Sequence, residues 1–143
     1  MTPRTLGLVG ITLVSAFAGI SGVVVDFTAS HIYNPAWPPH AQFHGYLSIA
    51  RTVLIMSASV VLAWGPVRRG DRAAWTVMGI LLLGWIAIWL LAPLAVPGTG
   101  ERATYVFAGV LAVFYVVGIW LVRPGITEGP RSSRQEPTRT PGP

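Results

Sequence analysis

Three histidines, His31, His40 and His44, stand within a fourteen-residue stretch, HIYNPAWPPHAQFH, and the chain has no others. Imidazoles exchange protons near neutral pH and bind transition metals, so their clustering invites a chemical reading. His40 and His44 are four residues apart, which on a helix puts them on adjacent turns, able to share one metal ion. With His31 and Asp26 they would make a set of three nitrogens and one oxygen suited to a divalent ion such as zinc, iron or copper. The spacing lacks the glutamate of H-E-x-x-H, and three readings stay open: metal binding by His31, His40 and His44, acid–base work without metal, and interfacial hydrogen bonding. In the acid–base version Asp26 or a histidine moves a proton while Arg51 steadies the negative charge that develops.

The elements that must position these groups are legible in the composition. The 143 residues are 52% hydrophobic and 10% charged, and the apolar residues come in four nearly unbroken blocks rather than in soluble alternation. Each block has about the 20 residues with which a helix covers roughly 30 Å of hydrocarbon. The expectation is an all-α membrane protein: a four-transmembrane-helix bundle over residues 1–122, with helices at about 6–26, 44–64, 73–94 and 103–122. A Pro/His-rich loop joins the first two helices. The first block runs longer than the roughly 7 to 15 apolar residues of a secretory signal and carries helix-packing residues, so it reads as a retained span.

Within the first block Thr12, Ser15, Gly19, Gly22 and Asp26 recur at steps of three and four and share one stripe, where small residues let helices approach closely in lipid. Asp26 closes that stripe and is the only acidic residue in or between the first two spans. In the second block His40, His44, Ser48 and Arg51 advance by four, four and three along one face that descends into the membrane. An arginine at the bilayer centre costs at least about 2.5 to 3.5 kcal/mol, less where it can snorkel, and calls for an anion. Asp26, Glu101 and an anionic substrate or lipid headgroup are the candidates. On the fourth helix, Glu101, Tyr105 and Ala108 would turn a carboxylate and a phenol inward.

The loop is stiffened by Pro35, Pro38 and Pro39, with Pro39 suited to the first turn of the second helix and Asn34 to capping a turn. Tyr33, Trp37 and Phe43 suit the headgroup layer. Asp26, His31, His40, His44 and Arg51 are therefore the candidate catalytic residues, and Asn34, Trp37, Phe43, Glu101 and Tyr105 the candidate substrate-binding ones.

The net charge of +5 comes from ten basic residues, all arginine. Arg4, the loop holding Arg68, Arg69 and Arg72, and the segment after Arg123 carry most of them, which by the positive-inside rule places both termini in the cytoplasm and the histidine loop outside. This asymmetry accounts for the charge without a nucleic-acid partner. Residues 123–143, rich in Pro, Gly, Ser, Thr and charge, read as a disordered cytoplasmic tail. The absence of cysteine excludes disulfides, thiolate catalysis, iron–sulfur clusters and cysteine-ligated zinc. Neither a Gly-rich phosphate loop nor a serine nucleophile elbow is present.

The string H-x-x-N-P-x-W-P-P-H-A-x-F-H resembles the signature of a family of short, four-helix integral membrane proteins of unknown function. The resemblance covers Asp26 to about Arg51 closely and the remainder only in hydropathy. It implies that Asp26, His31, Asn34, Pro35, Trp37, His40 and His44 belong to one site, and it supplies no reaction. In architecture alone the chain is also similar to emopamil-binding and sterol isomerase proteins, whose cavity between helices holds a lipophilic cation; the acidic and tryptophan motifs of those proteins are not found here. The functional expectation is a cell-membrane enzyme, an isomerase or cyclase, acting on a small lipophilic, isoprenoid-like substrate near the outer face. The alternative is a non-catalytic binding or accessory subunit whose loop docks a lipid or a partner protein. Transport would require a homo-oligomer, since four helices without broken segments show no pathway.

Overall fold

The computed structural model describes residues 1–96, 99 and 101–125. Their regular elements are four long helices, α1 (Pro3–Asp26), α2 (Pro39–Trp64), α3 (Arg72–Ala95) and α4 (Arg102–Leu121), with a 3-10 turn at Val67–Arg69. All four are long and apolar enough to cross a membrane. The expected tail lies outside the described residues from position 126 onward.

Local chemistry sets the helix starts. Thr2 accepts from the Thr5 amide, with Pro3 at the first helical position of α1, and the Asp71 carboxylate accepts from the Ala74 amide at the start of α3. Both arrangements satisfy amides that lack a partner within the helix. The boundaries expected from hydropathy hold within three residues except at α2, which begins at Pro39 instead of about residue 44. Hydropathy marks where a chain becomes apolar, whereas a proline at the first helical position marks where its hydrogen bonding begins. His40 and Phe43 therefore belong to the helix rather than to the connection. The turn before α3 ends at Gly70, whose φ of +92° lies in the left-handed region open to glycine.

Each helix packs against two neighbours, in the cyclic order α1–α2–α3–α4–α1. Neighbours run antiparallel, as the pairings Thr12–Trp64 and Gly22–Thr52 show for α1 and α2. Three indole N–H groups tie adjacent helices: Trp64 donates to Thr12 Oγ1 at 2.8 Å, Trp75 to the Ile119 carbonyl at 3.0 Å, and Trp85 to Thr52 Oγ1 at 3.2 Å. At the centre the buried Tyr115 hydroxyl donates to Met56 Sδ at 3.1 Å and lies 3.5 Å from Ser15 Oγ. This satisfies the hydroxyl of a fully buried phenol. Ile11, Met78, Leu82, Leu111 and Val122 complete the core, while Leu13, Leu54, Val61 and Leu94 face outward. An apolar periphery around a thin core is the pattern that a lipid solvent favours.

Candidate functional site

The end of the bundle where α1 finishes and α2 begins is hollow. A cavity of about 260 Å³ lies among all four helices, lined by Asp26, Ser21, Ser48, Thr52, Trp85, Trp89 and Thr104 together with apolar groups. A second, of about 410 Å³ between α2 and α3, is lined by Arg51, Pro93 and Thr99 and shares Ser48, Thr52, Trp85, Trp89 and Thr104 with the first. The two adjoin along these shared residues as two lobes of a chamber, with Asp26 lining one and Arg51, itself exposed at the surface, lining the other. The shared lining is hydroxyls and indoles. Pro93 cannot donate to the Trp89 carbonyl four residues back, and both residues stand at the Arg51 lobe.

Asp26 and Arg51 do not pair with each other. They line different lobes, and the ionisable group close enough to act on Asp26 is His31. That proximity follows from the backbone: the Ile32 amide donates to the Asp26 carbonyl at 3.1 Å, folding the connection back over the end of α1. Ile32 is 2% exposed and seats on Gly45, where an added Cβ would fall 2.8 Å from Ile32 Cγ1 and 3.7 Å from Trp37 Cζ3. Asn34 Oδ1 accepts from the Ala36 amide at 2.9 Å, closing a turn within the same segment.

The three histidines separate into a pair and a single. His40 and His44 meet with their Nε2 atoms 3.0 Å apart on the exposed start of α2. His31 lies elsewhere, its Nδ1 at 3.0 Å from Ser30 Oγ and 3.3 Å from Thr28 Oγ1, its ring steeply inclined to that of Trp37 with centroids 6.4 Å apart. Among the described residues no group of three or more histidine or carboxylate side chains is placed to hold a metal. The expected set of His31, His40 and His44 is thus not assembled, because starting α2 at Pro39 turns residues 40 and 44 onto the helix surface and leaves His31 on the folded connection. Neither His40 nor His44 lines the chamber, although Ser48 and Arg51 on the same face of α2 do.

Of the other expected residues, Asn34 serves its turn, Trp37 packs beside Gly45 and His31, and Phe43 is exposed beside His44. Glu101 is exposed and Tyr105 is 38% exposed, so neither turns inward. The buried face of α4 runs through Ala108, Leu111, Tyr115 and Gly118. One helical step of four back from Ala108 gives Thr104, which does line the chamber. Thr52, Trp85, Trp89 and Thr104 are among the lining residues that sequence reasoning missed. The available signal was the pair of tryptophans four residues apart in the third span, since an indole N–H in lipid needs an acceptor.

The fold and the chamber define a class: a small four-helix bundle with helices of membrane-crossing length, hollow at one end and closed at the other. The chain belongs to the family of unknown function DUF6640, which matches residues 10–119 and so takes in most of α1 and α4, all of α2 and α3, and every residue that lines the chamber. No curated protein and no solved structure matches the chain.

Proposed function

We propose that the protein is a multi-pass enzyme of the cell membrane that admits a small lipophilic, isoprenoid-like molecule to the chamber and rearranges it by acid–base chemistry at Asp26. The observation that carries this reading is the solitary carboxylate set among hydroxyls and indoles in a cavity between all four helices. Such a group can take a proton from one carbon of a bound substrate and return it to another, as an isomerase or cyclase requires. Arg51, in the adjoining lobe, faces negative charge on a substrate head or in the transition state. Together the lobes reach the roughly 300–1,000 Å³ of a small-molecule site.

An entry route supports the substrate class. A groove of about 600 Å³ runs between α1 and α2, lined almost wholly by apolar groups, and shares Gly19 and Val23 with the Asp26 lobe. An apolar tail would lie there while its polar head sits with Asp26. Orientation is supported by the arginines: Arg4, Arg68, Arg69, Arg72 and Arg123 gather at the end away from the chamber, which the positive-inside rule makes cytoplasmic together with both termini.

Asp26→Asn tests the reading. Membranes containing the wild-type chain, the variant or neither are extracted, and their isoprenoids and other neutral lipids compared by mass spectrometry. The expected result is a lipid pair interconverted by wild type and untouched by a variant that purifies with the same size. Identical lipid profiles in all three membranes would sink the enzymatic reading. A second reading, a non-catalytic binding or accessory subunit, draws on the aromatic side chains exposed around the connection, Tyr33, Phe43 and Tyr46; it expects a lipid or partner chain that co-purifies equally with wild type and Asp26→Asn.

A further inference from the structure

We propose that His40 and His44 form a two-imidazole site for a divalent transition-metal ion of the copper, nickel and zinc class, independent of the chamber and of the chemistry at Asp26. Because α2 begins at Pro39, both residues stand on its first turns, four apart and on one face. Their rings are edge to face, at 83° with centroids 4.5 Å apart, and the two Nε2 atoms converge to 3.0 Å. Two metal–nitrogen bonds of about 2.0–2.1 Å set at right angles span roughly 3 Å between their nitrogens. The rings thus already hold the separation that neighbouring positions around one ion require.

What the pair does without metal is modest. One Nε2–H donates to the other Nε2, an exposed contact of a kind worth only about 0.2–0.5 kcal/mol between helix neighbours. To take a metal, that proton moves to the Nδ1 of its own ring, by way of water, leaving two Nε2 lone pairs on one point with no net release of a proton. Both rings are exposed, so water can accept from each Nδ1–H and fill the remaining coordination positions. Imidazole nitrogen suits copper, nickel and zinc, with copper(II) bound most tightly in the general order of affinity. The proline-started first turn holds the two side chains in register, which reduces the ordering that binding must impose. His31 takes no part, since Ser30 and Thr28 hold its ring on the folded connection.

The full chain, purified in detergent without a histidine tag and stripped with chelator, is titrated with copper(II) and followed by electron paramagnetic resonance. The expected spectrum shows a single equivalent of copper carrying nitrogen couplings from two imidazoles. His40→Ala and His44→Ala should each weaken binding by roughly tenfold or more, about 1.4 kcal/mol or more, while His31→Ala changes it little. Both rings are exposed, so neither substitution should disturb the fold, which size-exclusion elution checks. Unchanged binding in the double variant, an equal loss in His31→Ala, or no copper retained by wild type would overturn the site. Four-nitrogen coupling in a particle of twice the mass would overturn it in favour of a site shared between two copies of the chain.

Discussion

The two ends of this bundle are built from similar residues and packed to opposite effect. At the arginine-rich end Gly7 and Gly118 let α1 and α4 come into backbone contact: a Cβ on Gly7 would fall 2.8 Å from both Leu121 Cβ and Val122 Cγ1, and 3.0 Å from the Gly118 carbonyl. Val67, Ala63 and Val122 are fully buried there, and Arg4 Nη2 donates to the Val67 carbonyl at 2.8 Å. At the other end Gly19 and Gly22 have the same small size, yet the nearest side-chain atoms to an added Cβ, on Met56 and Thr52, stand 4.0 Å off. Trp85 and Trp89 occupy that level of the bundle and line the chamber. Small residues permit close approach in lipid without compelling it; bulky neighbours at the same level decide whether a seam or a cavity results.

The comparison breaks most easily at its tight end. Gly7→Ala and Gly118→Ala should each destabilise the protein by about 1–3 kcal/mol through overpacking, Gly7 the more severely because a backbone carbonyl blocks it, whereas Gly118 meets the Ile11 side chain at 2.8 Å. Gly19→Ala and Gly22→Ala should leave stability unchanged or raise it by up to about 1 kcal/mol, since alanine is the better helix former. Denaturant unfolding in a fixed detergent, followed by tryptophan fluorescence, measures all four. Equal losses at both ends would mean that the two ends are packed alike.

How much of this was legible beforehand follows the same division. The four helices were readable because crossing hydrocarbon demands about 20 apolar residues, whatever the neighbours. The stripe Thr12, Ser15, Gly19, Gly22 and Asp26 was readable because a 3.6 period fixes which residues of one helix share a side; Thr12 and Ser15 turn out to make hydrogen bonds to other helices, which the reading of the stripe as a packing face did not include. The chamber was not readable, because its walls come from four helices whose rotations no single periodicity sets. Placing Tyr105 inward erred by one residue, about 100° of helix, and Thr104 took the position. Arg51 was seen to need an anion, yet Trp89 and Thr104, which line the same lobe, lie 38 and 53 positions further along the chain.

A sharper question is whether the connection over the hollow end is fixed to it. Ile32 sits against Gly45 with no room for a methyl group, so Gly45→Ala must push Ile32 outward by a few tenths of an ångström or unseat it. The expected cost is about 1 kcal/mol or more, within the range for an overpacked contact, and it should be local. Hydrogen exchange at the Ile32, Tyr33 and Trp37 amides, which donate to Asp26, Thr28 and Asn34 carbonyls, should quicken while the middle of α4 keeps its protection. Unaltered exchange at those amides would mean that the connection does not depend on this seat.

The smallest effect tests the spacer role of the indoles. Trp85→Phe keeps a ring at the chamber wall and removes the donor to Thr52 Oγ1. Hydrogen bonds between membrane helices average only about 0.6 kcal/mol in double-mutant cycles, reaching about 1.7, so stability should fall by no more than that. Thr52 is meanwhile left with an acceptor that only a ligand or water can use, and the smaller ring leaves more space where the Asp26 and Arg51 lobes adjoin. Binding of a lipophile in the chamber should therefore change more than stability does, read as a shift in the amount of lipid retained after purification. Trp85 is already buried with the core, so if stability fell by several kcal/mol instead, the hollow end would depend on its indoles for cohesion rather than for space.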